Sequence, residues 1–377
     1  MLFSAARSEI AECLRLEIIY MPKKSVKPKK ILITGGAGFI GSNVLAYLFE
    51  KYPAYHFIVL DLLTYAGDMR NIPEHIHKSP NFRFVYGDVR NTKLVENLVS
   101  KVTDVVHFAA ETHVARSIYD DANFFETDVL GTQKIANAVL INRDTINLFI
   151  HISTSEVYGT ARSRLMAEDH PLVPASPYAA AKAGADRLVK SYYLTYGIPA
   201  VILRPFNQFG PRQHLEKLIP RFITNAISGE PLTVHGSGNS MRDFTYVEDL
   251  ARAIDLVLHA PKKKIVGEEF NVGTGHSFSV NRIAHLILSL MKENHHAPKV
   301  RFSHSIMNIG DRPGQVYRHT ASYKKIKDAL GWEPRIGFEE GLRMTIEWYL
   351  ANQSWWRDKM WMRHVPIETE KGKMEMH

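Results

Sequence analysis

Tyr178 and Lys182 stand four residues apart at the start of a helix-length stretch that opens with Ser176-Pro177. That spacing puts both side chains on one helical face. The ammonium can lower the phenol's pKa, and the phenolate can then take a proton from an alcohol as hydride leaves its carbon. Tyr-x-x-x-Lys alone is common by chance. Its weight comes from Ser153-Thr154-Ser155-Glu156-Val157-Tyr158-Gly159, which lies upstream at the end of an apolar strand. A polar run there is a poor core element and is better explained as a site at the carboxyl edge of a sheet. Thr154, Ser155, Glu156, Tyr178 and Lys182 are therefore the candidate catalytic set.

A second group of residues could hold a dinucleotide. Ile-Leu-Ile-Thr-Gly35-Gly36-Ala37-Gly38-Phe39-Ile40-Gly41 follows a buried strand and precedes a helix. That is the context a dinucleotide fingerprint needs. Gly35 permits the tight turn. Gly38 lets backbone approach a pyrophosphate seated on the helix N-terminus, with Phe39, Ile40 and Gly41 beside it. Asp61 ends the next strand, where a carboxylate accepts from a ribose 2′-OH and repels a 2′-phosphate, which argues for NAD over NADP. Phe108-Ala109-Ala110 ends a later strand, and its small side chains let a cofactor lie close. Ser153 and Thr64 complete the expected cofactor set, together with Tyr178 and Lys182.

These residues need elements to position them. Segments 31–34, 57–61, 83–86, 104–108, 148–152 and 200–203 read as short buried strands, and 41–51, 92–101, 127–142 and 177–196 as helix-length stretches between them. The alternation implies a parallel sheet with helices on both faces. After about residue 210 Pro and Gly become frequent and the strands shorter, the mark of a smaller lobe set against the sheet. Segment 246–259 has helical periodicity and 268–272 looks like one more buried strand, so the two parts should interleave. The expected division is an extension over 1–29, expected to be disordered, a cofactor domain over 30–210, a substrate lobe over 211–360 with segments returning to the first domain, and a frayed tail over 361–377. Met21 makes residues 1–20 look like an extension or an upstream-start artefact.

The chain has 377 residues, enough for a sizeable core. Apolar content of 45% and charged content of 23% are those of a soluble globular protein. No apolar run is long enough to span a bilayer, which argues against a membrane partner. The single cysteine, Cys13, excludes a disulfide framework and a cysteine metal site, and makes a reducing cytoplasm the default. The net charge of +8 is compatible with a nucleic-acid binder, but the dense basic cluster is confined to 23–30. A phosphate-bearing substrate explains the remaining excess better.

From about residue 30 to 355 the chain resembles the extended short-chain dehydrogenase/reductases that act on nucleotide sugars, with the Rossmann-type doubly wound α/β fold and a smaller C-terminal substrate-binding lobe. The Gly-x-x-Gly-x-x-Gly spacing carries the resemblance. So do Leu63-Thr64-Tyr65-Ala66-Gly67, His107-Phe-Ala-Ala-Glu-Thr-His-Val114, Arg116-Ser117-Ile118, Glu216-Lys217-Leu218-Ile219-Pro220, Arg242-Asp243-Phe-Thr-Tyr-Val-Glu-Asp249, Asp311-Arg312-Pro313-Gly314 and Gly331-Trp332. Within that group it is most similar to dTDP-glucose 4,6-dehydratases. Two departures stand out. Ser155 replaces the Asp that in those enzymes expels the C6 hydroxyl, which also resembles UDP-N-acetylglucosamine and GDP-mannose 4,6-dehydratases and UDP-glucuronate decarboxylases. Asp128 stands where relatives often have Asn, with no functional change read from it.

The resemblance implies a nucleotide-sugar 4,6-dehydratase with tightly held NAD, acting on a dTDP-glucose or UDP-N-acetylglucosamine class of hexose. Tyr178 would take the O4 proton as C4 is oxidised, and Glu156 would remove the C5 proton. Ser155, Thr154 or a water would assist departure of the C6 hydroxyl. Asp88 and Val89 would seat the adenine. Asn207, Lys217, Leu218, Arg242, Asn271 and Arg312 would hold the nucleotide diphosphate, Thr233, Val234 and His235 the base, and Thr112 and His113 the sugar. No metal is expected. Helices 127–142 and 177–196 would pair into the four-helix bundle of a homodimer. The alternatives are a UDP-glucuronate decarboxylase, a 4-epimerase and, more distantly, a non-catalytic NAD-sensing protein on the same fold.

Overall fold

The computed structural model describes residues 27–293, 306–311 and 314–363, and the backbone of 366–368 and 374–376. The expected extension therefore lies outside the described residues up to residue 26. Lys29 is fixed, its ammonium 2.7 Å from Asp104 Oδ1.

In chain order the strands are β1 (Lys30–Thr34), β2 (His56–Asp61), β3 (Phe82–Tyr86), β4 (Asp104–His107), β5 (Leu148–Ile152), β6 (Ala200–Pro205), β7 (Asn207–Phe209), β8 (Leu232–His235), β9 (Met241–Tyr246), β10 (Glu269–Val272), β11 (Ser277–Ser279) and β12 (Ile306–Ile309). The main helices are α1 (Phe39–Lys51), α2 (Thr92–Val99), α3 (Thr132–Ile141), α4 (Pro177–Tyr196), α5 (Leu218–Ser228), α6 (Val247–His259), α7 (Val280–Glu293) and α8 (Phe338–Ala351). Seven strands form one parallel sheet in the order β3-β2-β1-β4-β5-β6-β10. The seven strands read from the sequence are these seven.

The period of two along each strand explains the layers. Ile31, Ile33, Val59, Val106 and Ile150 face α1 and α6, where Val44, Leu48, Leu250 and Ile254 are fully buried. Leu32, Leu60, Val105 and Phe149 face the opposite way, onto Val95, Ile135, Val139 and Val189 of α2, α3 and α4. Burying each such side chain contributes about 1.5–3 kcal/mol. The chain returns to the sheet: α6 packs on α1, and β10 closes the sheet beside β6.

The smaller lobe pairs β7 with β9 and β9 with β11, and sets β8 parallel to β12. Its own core gathers Phe209, Phe222, Ile223, Leu232, Ile287, Tyr349 and Trp356. The chain then crosses back to the sheet domain. Trp355 Nε1 donates to Asn71 Oδ1 at 2.9 Å, and Asn71 Nδ2 donates to the Ala37 carbonyl at 2.7 Å. The tail expected from 361 begins too early. Arg363 is buried and donates to Asn225 Oδ1 and Glu230 Oε2 at 2.7 and 2.8 Å, and 366–368 pairs antiparallel with 374–376. The cation is held because a carboxylate and an amide oxygen face it, a pattern that composition alone does not show.

Two helices have local features that bear on the site. α4 starts where the sequence says it should: Ser176 Oγ accepts from Ala179 N, Pro177 occupies the first turn, and Gly197 ends the helix with φ +68°. The helix expected over 127–142 is instead a wide π turn, Phe125–Gly131, running into α3. The turn carries Asp128 inward, where its Oδ1 accepts from Glu111 N at 2.8 Å.

Candidate active site

A cleft of about 650 Å³ opens along the carboxyl ends of β1, β2, β4, β5 and β6 and is closed on the other side by the smaller lobe. At one end the wall is mostly backbone. Gly35 has φ +69°, and a Cβ there would sit 2.7 Å from Ala109 N. A Cβ on Gly41 would meet the Gly35 carbonyl at 2.3 Å. Gly38 caps α1 without a side chain, which leaves the first N–H groups of the helix facing the cleft. This cradle has the shape and polarity a pyrophosphate needs. Asp61 braces it by accepting from Ala37 N and Leu63 N at 2.9 and 2.8 Å; burial pushes its carboxyl up, and the two N–H groups pull it back. Thr64, Val89, Phe108, Ala109 and Ala110 line the same end. Asp88 does too, its carboxyl held below the usual range because Arg90 outweighs burial. The residues present thus fit NAD.

In the middle of the cleft Tyr178, Lys182, Ser153, Thr154, Ser155 and Glu156 come together, as the motifs imply. The electrostatics differ from the expectation. Burial, with Asp128 and Glu156 nearby, pushes the Tyr178 phenol up, while a hydrogen bond with Thr154 pulls it down. The Lys182 ammonium donates to the Ile152 carbonyl at 2.8 Å. Burial lowers Lys182 and raises Asp128, each effect partly offset by the other's charge. Asp128 Oδ2 is buried with no hydrogen-bond partner among the described residues. Behind this corner His107 links Thr34 and Thr132 at 2.6 and 3.0 Å, and burial holds it near a pKa of about 3, so it is neutral.

The turn Ser155–Tyr158 is pinned from behind. Arg204 is buried and donates to both Asp186 oxygens at 2.9 Å and to Tyr158 Oη at 2.9 Å. Tyr158 Oη in turn donates to Asn271 Oδ1 at 2.8 Å. His319 lies next to the turn, fully buried. Its Nε2 is 2.7 Å from the Gly159 carbonyl, and its Nδ1 is 3.4 Å from Ser155 Oγ and 3.6 Å from Glu156 Oε1. No motif pointed to His319, because it reaches the site from 160 residues further along the chain.

The far wall is built of side chains. Thr112, His113, Asn207, Lys217, Leu218, His235 and Arg242 line it, as expected, with Arg221, Glu216 and Gln315 in addition. Arg221 lies four residues after Lys217, at the spacing that shares a helical face, and that is the signal that could have found it. Glu216 is buried, accepts from Tyr65 Oη at 3.1 Å, and has His113, Arg116 and Lys217 within 3.5–3.7 Å. Three expected residues are not in the cleft. Asn271 is fully buried behind it, with its amide spent on Tyr158 and the Met166 carbonyl. Val234 points into the lobe core, and Thr233 is buried beside Arg221, which reaches its carbonyl. In β8 alternate residues take opposite faces, so His235 reaches the cleft and Val234 cannot. Arg312 lies outside the described residues. Among the described residues no group of His, Cys, Asp or Glu could hold a metal ion, and no helix is long and apolar enough to cross a membrane.

Residues 32–345 match the family model described as GDP-mannose 4,6 dehydratase. A dTDP-glucose 4,6-dehydratase from Actinoplanes sp. is 40% identical over 332 residues, covering 87% of this chain and 99% of that protein. A trifunctional UDP-glucose 4,6-dehydratase, epimerase and reductase of Arabidopsis thaliana is 39% identical over 343 residues, 90% of this chain; the match spans half of that longer protein. Among solved structures, a dTDP-glucose 4,6-dehydratase from Streptomyces venezuelae with NAD bound superposes with a TM-score of 0.81 at 38% identity, covering 87% of this chain and 99% of that one.

Proposed function

The chain belongs to the GDP-mannose 4,6-dehydratase family of extended short-chain dehydrogenase/reductases, and from that membership we propose how its own residues dehydrate a nucleotide-linked hexose. It is an NAD-dependent nucleotide-sugar 4,6-dehydratase. The product is the 4-keto-6-deoxy sugar. When bound, NAD supplies the two-electron acceptor that takes hydride from C4 and gives it back at C6. Gly35, Gly38, Phe39 and Ile40 would hold its pyrophosphate and Asp61 its ribose. Tyr178 receives the O4 proton, steadied by Thr154. The 4-ketone then acidifies C5, and Glu156 removes that proton. Lys217, Arg221, His235 and Arg242 face the diphosphate and base.

The observation that carries the reading is Glu156 in one cleft with Tyr178 and Thr154. Oxidation and reduction at C4 alone, as in an epimerase, gives no work to a second base. Asp61 favours NAD and so a dTDP- or UDP-linked hexose over a GDP-linked one. The test is to incubate the protein with dTDP-glucose, UDP-N-acetylglucosamine, GDP-mannose and UDP-glucuronate and read the products by mass spectrometry. Loss of one water from a hexose is the expected result. Carbon dioxide from UDP-glucuronate, with no water lost from any hexose, would overturn it in favour of a decarboxylase. Glu156→Gln should still oxidise C4 but should neither exchange C5 with deuterated solvent nor release water.

A homodimer through the π-turn–α3 segment and α4 fits the apolar side chains these helices expose, Leu130, Ile141 and Leu194 among them. Sedimentation at equilibrium tests it. A cytoplasmic site of action fits a chain with one cysteine.

A further inference from the structure

Ser155 raises a chemical difficulty. Hydroxide is a poor leaving group, and a serine hydroxyl is far too weak an acid to protonate it unaided. A hydroxyl can pass a proton on only if a neighbour refills it in the same motion. His319 is that neighbour, and its tautomer is fixed by geometry. The Gly159 carbonyl, 2.7 Å from Nε2, can only accept, so Nε2 carries the hydrogen. Nδ1 is then the basic nitrogen, and it faces both Ser155 Oγ at 3.4 Å and Glu156 Oε1 at 3.6 Å.

We propose that Ser155 and His319 together act as the acid that expels the C6 hydroxyl, handing to it the proton that Glu156 removes from C5. The proposal rests on the dehydratase reading. The C5–H bond breaks, its electron pair forms the C5–C6 double bond, and the C6–O bond breaks. The proton goes from C5 to Glu156, from Glu156 to His319 Nδ1, and from Nδ1 to Ser155 Oγ as the serine's own proton moves to O6. Water leaves, and Ser155 and His319 end as they began. When C6 is reduced, C5 takes a proton back through Glu156; the O4 proton held by Tyr178 makes up the balance through solvent. Ser155 is the catalytic residue here, and His319 acts through it.

The surroundings suit a relay. Burial, Arg242 and His170 favour the neutral imidazole, while the Glu156 carboxylate and the Gly159 carbonyl favour the charged one, and the net effect lowers the imidazole's pKa. Phe206 packs edge-on against the ring, at 6.2 Å between centroids, and keeps it in place. The two gaps are longer than working hydrogen bonds, as catalytic contacts often are before substrate closes them.

Three variants test this on dTDP-glucose and UDP-N-acetylglucosamine: S155A, H319N and S155D/H319N. Water loss is read by mass spectrometry and C5 exchange in deuterated solvent. S155A and H319N should each slow water loss by roughly 10²–10⁴-fold, the scale of a positioned acid, while C5 still exchanges. S155D/H319N should recover to within about tenfold of wild type, because a carboxylic acid brings its own proton. A merely structural role for His319 predicts no such rescue. Wild-type rates of water loss in S155A, or no recovery in S155D/H319N, would overturn the relay. Should H319N not fold, S155A alone decides. Wild-type protein that releases no water from any hexose overturns the dehydratase reading itself, which is a different failure.

Discussion

On the cofactor wall the cleft is lined by backbone N–H groups, at the Gly35–Gly38 turn and the start of α1. On the substrate wall the cationic groups that line the cleft are side chains, Lys217, Arg221 and Arg242. Each wall also has a buried carboxylate, and the two are handled differently. Asp61 is satisfied by two backbone N–H groups of its own loop. Glu216 is held by Tyr65 and by side chains from two further segments, His113 and Arg116 from one and Lys217 from the other. Backbone cradles lose little entropy on binding and change little with sequence. Side-chain walls must be ordered, and they can be retuned by single substitutions. That division suits an enzyme that keeps one ligand through every turnover and exchanges the other.

The largest expected effect lies where the walls meet. Tyr178→Phe removes the base and should cut turnover by roughly 10²–10⁴-fold. Cofactor content, measured after denaturation, should be unchanged and consist of NAD. Near-normal turnover would move the base elsewhere. Next, Arg242→Ala should raise KM by roughly 10–100-fold, the scale of one charge-assisted hydrogen bond, with kcat altered only a few-fold. Equal losses in kcat would mean that Arg242 acts in the transition state.

Gly35→Ala probes the other wall. Its φ of +69° and the 2.7 Å approach to Ala109 N leave no room for a methyl group. The strain should lower stability by roughly 1–3 kcal/mol and empty the cradle of NAD, read by denaturant unfolding and by cofactor content. A stable, cofactor-loaded variant would show that the turn is more forgiving than its geometry says. The smallest effect concerns Asp68, which pairs with Arg70 at 2.8 Å and with Lys359 at 2.5 Å. Burial raises its carboxyl, but Arg70 and Lys359 outweigh that and bring it from 3.8 to about 2. A folded pKa below the unfolded one stabilises above 3.8, and the gain is lost as pH falls toward about 2. Asp68→Asn should therefore be slightly less stable than wild type near neutrality, with the gap closing over that acid range in urea titrations.

The sheet was legible because burial on both faces makes its strands continuous apolar runs, Ile31–Ile33 and Leu148–Ile152 among them. The cofactor wall was legible for a related reason: its parts are contiguous in the chain, so spacing encodes geometry. The substrate wall was readable mostly through resemblance. Resemblance misplaced Asn271, whose amide is used up inside the strut around Arg204, Val234, which alternation in β8 turns away, and Thr233, which is buried beside Arg221. His319 escaped, and Glu216 stood in a quoted motif without a role, because their significance is a matter of neighbours brought from far along the chain. Asp128 was noticed as a departure, but its inward orientation depends on a π turn that periodicity reads as ordinary helix.

The link from Trp355 through Asn71 to Ala37 has a consequence in time. The ribosome releases the glycine turn early, and Asn71 soon after it, but the indole that holds Asn71 follows 284 positions after that residue. Contacts so distant in sequence form late in folding. Until the last helices emerge, the Asn71 amide that donates to the Ala37 carbonyl lacks its own donor from Trp355, however well the first strands have paired. A chain that ends before Trp355 therefore offers the dinucleotide a less firmly held turn. Chains stopped before Trp355 should be found without NAD, and full-length chains with it.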